Sequence, residues 1–378
     1  MNGSAGAGLG WPADDSDASP SLGWPSTQSQ APAARVSRET PSATPDPVSR
    51  ETAASSGGDV SRETEELPPL ADVPLDPGNA ATDPVAPAGP PARPARSPEP
   101  WPRPSRRRVL GVANQKGGVG KTTSTVNLAV ALAQHGARVL VIDLDPQGNA
   151  STAFGVDHRG GTPSVYDVLV DGRPLDEVAA PVDDVPGLYC APATIDVAGA
   201  EIELVSVVAR ESRLAKAIAA MEQQFDYVFI DCPPSLGLLT VNALVAAEEV
   251  LIPIQCEFYA LEGLSQLLKN IEMVRSHLNR DLHVSTILLT MYDGRTRLAE
   301  QVAQEVRTHF GDLVVGSTIP RSVRISEAPG YGQTVMTYDP LSRGALAYAD
   351  AAREIALRSH AAAAGGRPGD AVNEWRAE

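Results

Sequence analysis

The sequence predicts an α/β domain built on a mostly parallel, twisted sheet with helices on both faces, preceded by a long disordered N-terminal extension. Three observations predict it. From about residue 107 onward, apolar runs of strand length alternate with longer segments of helical apolar spacing. Two of those runs end in aspartate, at Asp143 and Asp231, the kind of strand terminus where open α/β sheets bind ligands. A glycine-rich loop carrying two lysines joins the first run to the first helical segment.

Composition divides the 378-residue chain. Residues 1–104 hold 20 of the 33 prolines and almost no aliphatic runs. Such a segment buries too little apolar surface to offset the entropy of ordering it. Residues 1–106 are therefore read as a disordered Pro/Ala/Ser-rich extension, 107–360 as one folded domain with a full core, and 361–378 as a flexible tail. Cys190, Cys232 and Cys256 lie far apart, each in an apolar run. That fits a reducing cytosol and gives neither a metal set nor a disulfide framework. No run of 18 apolar residues occurs and the N-terminus lacks a basic-plus-apolar signal, so a cytoplasmic location is expected. The net charge is −16, and residues 1–104 carry 14 acids against 7 arginines. The folded part stays acidic, which excludes a surface coated broadly for nucleic acid and confines any such contact to a local patch.

Arg108–Ala113 reads as a short buried strand entering the loop Asn114-Gln115-Lys116-Gly117-Gly118-Val119-Gly120-Lys121-Thr122-Thr123. Its glycines let backbone N–H groups turn inward around phosphate oxygens. Lys121 is spaced to reach the β- and γ-phosphates of a nucleotide, and Thr122 to offer its hydroxyl to Mg²⁺. Ser124–His135 has helical spacing and Gly136 stops it, so a helix N-terminus faces the anion. A nucleotide held by Lys121 needs no second cation from its own loop, which leaves Lys116 for a neighbour's nucleotide across a dimer.

Ala137–Asp143 is the next apolar strand, and Asp143-Leu144-Asp145-Pro146-Gln147-Gly148-Asn149 follows at its end. Period-two alternation puts Asp143 and Asp145 on one side of the emerging chain. Two carboxylates there hold Mg²⁺ through water or position an attacking water, unless they are turn or helix-capping acids. Asp226–Asp231 forms another strand, whose terminal Asp231 is placed for a second Mg²⁺ contact. Further strands are expected at 249–254 and 282–290, and helices at about 199–224, 237–247, 260–278, 297–309 and 343–358.

Four segments, Lys116–Thr123, Asp143–Asn149, Phe229–Ser235 and Ile319–Pro329, together resemble the ParA/Soj-type chromosome-partitioning ATPases, which are P-loop NTPases. The resemblance runs in order over roughly 107–360. It implies ATP and Mg²⁺ as cofactors, an ATP-dependent homodimer that sandwiches the nucleotides, DNA binding without sequence preference, stimulation of hydrolysis by ParB, and association with the nucleoid. It implies that Lys116 contacts the partner subunit's ATP and that Asp145 is needed for hydrolysis. Gly117, Gly118, Val119, Gly120, Lys121, Thr122 and Thr123 would cradle the nucleotide, with Thr122, Asp143 and Asp231 on the metal side. Pro320 and Ser322 lie where the family contacts adenine, although asparagine is common where Ser322 stands. Arg295, Arg321 and Arg324 occupy the DNA-contacting positions. Three guanidiniums on one face, doubled in a dimer, give weak and salt-sensitive phosphate binding.

Two other readings share part of this pattern. A MinD-like cell-division ATPase has the same two-lysine loop but anchors to membrane through a C-terminal amphipathic helix. Residues 361–370 have no hydrophobic face and contain Gly and Pro, so no membrane contact is expected. A DNA-coating scaffold would use ATP only as a dimerisation switch. The extension adds a repeat: Val-Ser-Arg-Glu-Thr occurs at 36–40, 48–52 and 60–64. It is too small and polar to stack as a structural unit. One possible coding sequence, GTTTCACGTGAAAC, is its own reverse complement and resembles the parS site that ParB reads, as expected for a two-fold symmetric reader. On that reading the repeat belongs to the gene's DNA rather than to the peptide, and the extension is in part a gene-start artefact.

Overall fold

Strands buried on both faces read as unbroken apolar runs, and five such runs become the middle and one side of a seven-stranded sheet. The strands are β1 (Arg108–Val112), β2 (Val139–Asp143), β3 (Ala180–Pro181), β4 (Leu188–Ala191), β5 (Tyr227–Asp231), β6 (Glu249–Gln255) and β7 (His283–Thr290). Their order is β3-β4-β2-β5-β1-β6-β7, parallel throughout except for the β3–β4 pair. The computed structural model describes residues 99–258 and 260–363. The Val-Ser-Arg-Glu-Thr copies, most of the expected disordered extension and residues 364–378 of the expected tail lie outside the described residues.

Every residue of β2 and β5 is buried. Alternation along the strands divides their side chains between two cores: Val109, Leu140, Ile142, Val228 and Ile230 join one, Leu110, Val112, Val141, Tyr227 and Phe229 the other. Twelve helices cover the two faces among the described residues: α1 (Lys121–Gln134), α2 (Asn149–Ala153), α3 (Val165–Leu169), α4 (Leu175–Val178), α5 (Val197–Glu203), α6 (Arg213–Ala220), α7 (Leu238–Ala246), α8 (Ala260–His277), α9 (Arg297–Phe310), α10 (Val323–Glu327), α11 (Val335–Tyr338) and α12 (Arg343–Ala363). α1 is buried on nearly all sides, between the sheet and α12, where Ser124 Oγ meets the Tyr348 hydroxyl at 3.3 Å. No helix among the described residues is long and apolar enough to cross a membrane.

The register decides where chemistry is possible. Asp231 lies opposite Val112 on one side and Asp143 on the other. The three central strands thus finish side by side at their C-terminal ends, the edge at which a parallel sheet receives ligands.

Besides the short helices α2, α3, α4, α10 and α11, which are not among the expected elements, the structure differs from expectation in four places. The helix expected at 199–224 is broken into α5, two short turns at Leu204–Ser206 and Arg210–Ser212, and α6. Val205, Ser206, Val207 and Val208 are β-branched or favour turns, and Ala209 sits in the left-handed region at φ 55°. β3 and β4 were not anticipated, being two and four residues long and hemmed in by Pro181, Pro186, Gly187 and Pro192. α12 continues to Ala363, past the expected boundary at 360. Finally, residues 99–106, assigned to the extension on composition, are held on the domain. The Trp101 ring stacks on His135 at 3.6 Å and 7°, Trp101 N donates to His135 O at 3.1 Å, and Arg103 Nη2 donates to Gly136 O at 2.6 Å. Arg106 adds an ion pair with Glu248 at 2.6 Å.

Candidate functional site

The loop between β1 and α1 is pinned from three directions. Asn114 donates to Pro253 O at 2.8 Å and accepts from Lys116 N at 3.0 Å, tying the loop's start to β6. Thr290, the last residue of β7, donates its hydroxyl to Val119 O at 2.8 Å. Gly120 takes φ 89°, a conformation costly for any residue with a side chain, just where the loop turns into the helix. Lys121 is buried and its Nζ donates back to Lys116 O at 3.4 Å. Burial lowers the pKa of this ammonium, against the charges of Asp231 and Asp145.

In front of the loop lies a cleft of about 520 Å³. Gly117, Gly118, Gly120, Lys121, Thr122 and Thr123 line it, as does Asp145. The loop from Asp145 to Asn149 bends sharply at Gly148, φ 61°, where an added Cβ would stand 2.8 Å from His158 Cδ2 and 3.1 Å from Ala193 O. A larger residue would have to displace the His158 ring, press on the Ala193 carbonyl and adopt a left-handed backbone.

Asp143 and Asp231 are both fully buried, and their roles separate. Asp143 Oδ2 accepts from Ser151 N at 2.9 Å and Ser151 Oγ at 2.8 Å, and Oδ1 accepts from Asp145 N at 3.2 Å. Both of its oxygens thus brace the Asp145–Asn149 turn and α2, and it does not line the cleft. In this arrangement Asp143 braces the turn, and its carboxylate is already engaged by protein donors. Asp231 accepts from Thr125 Oγ1 at 3.1 Å through Oδ1, whereas Oδ2 has no hydrogen-bond partner among the described residues. Burial, then the Asp143 charge, raises the pKa of Asp231, and the hydroxyls of Thr122 and Thr125 lower it. A buried carboxylate with a spare oxygen beside a helix-start hydroxyl suits a hard divalent cation. Among the described residues no group of three or more His, Cys, Asp or Glu side chains could hold a metal. A cation here would rest on one carboxylate, one hydroxyl and its ligand's own oxygens, the usual arrangement for Mg²⁺.

Three other expected residues stand outside the cleft. Lys116 turns away from it, and its Nζ pairs with Glu257 at 3.0 Å. Pro320 is in a bridge with Tyr292, and Ser322 is the residue before α10. Neither is among the residues lining the cleft. The wall is supplied by Ile325, Pro329, Thr334 and Val335 instead. Asn127 fixes part of that wall to α1, donating to Thr123 O at 2.7 Å and accepting from Val335 N at 3.0 Å. It was not singled out in the sequence, although a buried asparagine inside an apolar helix is a legible signal.

The arginine positions come together in part. The Tyr292–Pro320 bridge sets the two loops side by side, with Arg321 N donating to Tyr292 O at 3.2 Å. Arg295 is exposed and pairs with Asp293 at 2.8 Å. Hydrogen bonds from Arg295, with the charges of Arg295 and Arg321, pull the Asp293 carboxyl down to about 2. Arg324 pairs with Glu327 at 3.2 Å and Asp339 at 3.5 Å and sits 6.0 Å from the Tyr338 ring centroid.

A strand, a glycine loop with a buried lysine at a helix N-terminus, and a strand-end aspartate beside a helix-start hydroxyl define a phosphate-loop NTPase. Comparison with known proteins narrows this. The family model described as AAA domain matches residues 107–284. The sporulation initiation inhibitor protein Soj of Bacillus subtilis is 52% identical over 249 residues, 66% of this chain and 98% of that protein. The chromosome partitioning protein ParA of Caulobacter vibrioides is 51% identical over 253 residues, 66% of this chain and 94% of that protein. The solved structure of cobyrinic acid a,c-diamide synthase from Mycobacterium smegmatis, with a bound ATP analog and magnesium, is similar with a TM-score of 0.58 and 39% identity, over 70% of this chain and 98% of that one. The chain belongs to the ParA/Soj family of chromosome-partitioning ATPases.

Proposed function

We propose that this partitioning ATPase works as a two-chain switch on DNA, with ATP and Mg²⁺ as its cofactors. The observation that carries the reading is the separation of the loop's two lysines. Lys121 lines the cleft, whereas Lys116 leaves it and points toward Glu257. In this reading Lys121 and the backbone of residues 117–123 bind the phosphates, and Lys116 reaches the phosphates of the partner subunit's nucleotide. ATP binding thereby becomes a property of the homodimer. Thr122 and Asp231 would hold Mg²⁺, which supplies charge neutralisation on the phosphate oxygens when bound. Asp145, in the cleft wall, orients the attacking water and accepts its proton.

The dimer then presents Arg295, Arg321 and Arg324 from both chains to DNA on the nucleoid. All three side chains are exposed, 88%, 66% and 56% respectively. All three are also paired with local carboxylates, which keeps the attraction to phosphate weak and reversible. ParB stimulates hydrolysis, the dimer opens, and DNA is released.

The test is the pair Lys116→Ala and Lys121→Ala in the full chain. Lys121→Ala should lose nucleotide binding outright. Lys116→Ala should bind a fluorescent ATP analogue as a single chain with unchanged affinity, yet fail to dimerise in sedimentation and fail to respond to DNA and ParB. Dimerisation of Lys116→Ala at the wild-type concentration would refute the reading. Turnover that stays flat when DNA and ParB are added would favour a switch without catalysis.

A further inference from the structure

Glu257 is the point at which the two halves of that reading meet. It follows β6, and its carboxylate gathers three donors. Oε2 holds Lys116 Nζ at 3.0 Å, while Oε1 accepts from Gln255 Nε2 and lies 3.9 Å from Arg321 Nη2. The backbone of Lys116 is fixed at the same time, its N–H by Asn114 and its carbonyl by Lys121 Nζ. The side chain is therefore the movable part, and Glu257 decides where it rests.

We propose that Glu257 is a latch that holds Lys116 in the unpaired chain and so sets the threshold for ATP-dependent dimerisation. The inference rests on the reading that Lys116 reaches the partner's nucleotide. Lys116 cannot occupy Glu257 and a phosphate at once, so dimerisation must break the ion pair in each chain. The pair is well suited to being broken. Its side chains are 39% and 45% exposed, so water resolvates both charges, and such pairs are individually weak. Arg321 stands beside the same carboxylate and compensates it when Lys116 leaves. The latch also communicates with the phosphate site, because the carbonyl that receives Lys121 Nζ is that of Lys116 itself. Phosphate that draws Lys121 forward removes one of the bonds restraining the Lys116 backbone.

Three variants of the full chain test this, with dimerisation measured by sedimentation in a non-hydrolysable ATP analogue and Mg²⁺. Each latch is worth a factor of about 1.5 to 5, and a dimer opens two, so Glu257→Gln should tighten the dimer by roughly 2- to 25-fold. Binding of the analogue to the single chain should not change. Arg321→Ala should act in the opposite direction, since Glu257 then has less to hold once Lys116 departs. Raising salt from about 0.05 to 0.5 M should narrow the gap between wild type and Glu257→Gln, as screening opens the latch by itself. In a Lys116→Ala background, Glu257→Gln should have no effect. An unchanged or weaker dimer for Glu257→Gln, with Lys116→Ala still dimerisation-defective, would overturn the latch and leave the role of Lys116 standing. Normal dimerisation of Lys116→Ala would overturn both.

Discussion

Thr290→Val isolates one hydrogen bond at the nucleotide loop. Thr290 is 1% exposed at the end of β7, and its hydroxyl is the donor to Val119 O. Valine keeps the shape, including the methyl that lies 3.8 Å from the Cβ position of Gly120, and removes only the donor. The Val119 carbonyl is left in a buried setting without that partner, a loss of about 1–3 kcal/mol. If the free loop keeps its conformation, the whole loss appears as a lower unfolding temperature. If the loop relaxes, the part it escapes returns as weaker nucleotide binding. With saturating ATP and Mg²⁺ both parts are recovered, and at about 2–4 °C per kcal/mol the unfolding midpoint should fall by about 2–12 °C. Thermal unfolding with and without nucleotide, beside a fluorescent-nucleotide titration, separates the two parts. Thr290→Ser, which keeps the donor, should lie close to wild type. A Thr290→Val protein that unfolds at the wild-type temperature and binds nucleotide with wild-type affinity would show that the bond does not organise the loop.

Asp231→Asn should raise the Mg²⁺ needed for half-maximal ATP turnover on the order of tenfold or more, while Asp143→Asn should cost about 1–3 kcal/mol of stability with the Mg²⁺ requirement unmoved; a shared Mg²⁺ phenotype would restore Asp143 to the metal set. Glu249→Gln should destabilise the fold by about 3 kcal/mol or more in denaturant, because it strips a buried bidentate partner from Arg108. Burial raises the Glu249 pKa, but the hydrogen bonds and charge of Arg108 lower it further, leaving it below its ordinary 4.5. The contribution of Glu249 is therefore present above about pH 4.5 and is lost as pH falls through the lowered value, so wild type and Glu249→Gln should converge in acid. Combined Arg295→Ala and Arg324→Ala should abolish DNA binding in a salt-titrated mobility assay while ATP binding persists; binding with an unchanged salt slope would place the patch elsewhere.

What could be read from the sequence was whatever a run or a spacing encodes. β1, β2, β5, β6 and β7 are long apolar runs in a parallel sheet, and their period cannot be mistaken for a surface helix. β3 and β4 sit between prolines and glycines, where pairing with β2 rather than local preference makes the strand. The glycine loop with Lys121 was legible because each residue type has its own reason to be there. The bracing of the turn by Asp143 was not, because spacing cannot reveal that Ser151, eight residues on, donates to its carboxylate. The bridge that sets Pro320 beside Tyr292 was hidden for a similar reason, being a long-range pairing. Trp101 and Arg103 fall in a proline-rich stretch that composition assigns to solvent, yet a ring stack, a backbone hydrogen bond from Trp101, the Arg103 side chain on Gly136 O and the Arg106–Glu248 ion pair hold it on the domain.

The placement of the site on β5, the central strand of the sheet, and its neighbour β1 has a thermodynamic consequence. Edge elements fray at little cost, but central strands open only when the whole domain does. A nucleotide held there is linked to global unfolding rather than to the ordering of one loop, so at a hundredfold excess over its dissociation constant it adds about 2.7 kcal/mol to the stability of the entire sheet. Losing the nucleotide lowers the free energy of unfolding everywhere at once, and the loaded and empty chains then differ in how readily a protease or chaperone can seize them.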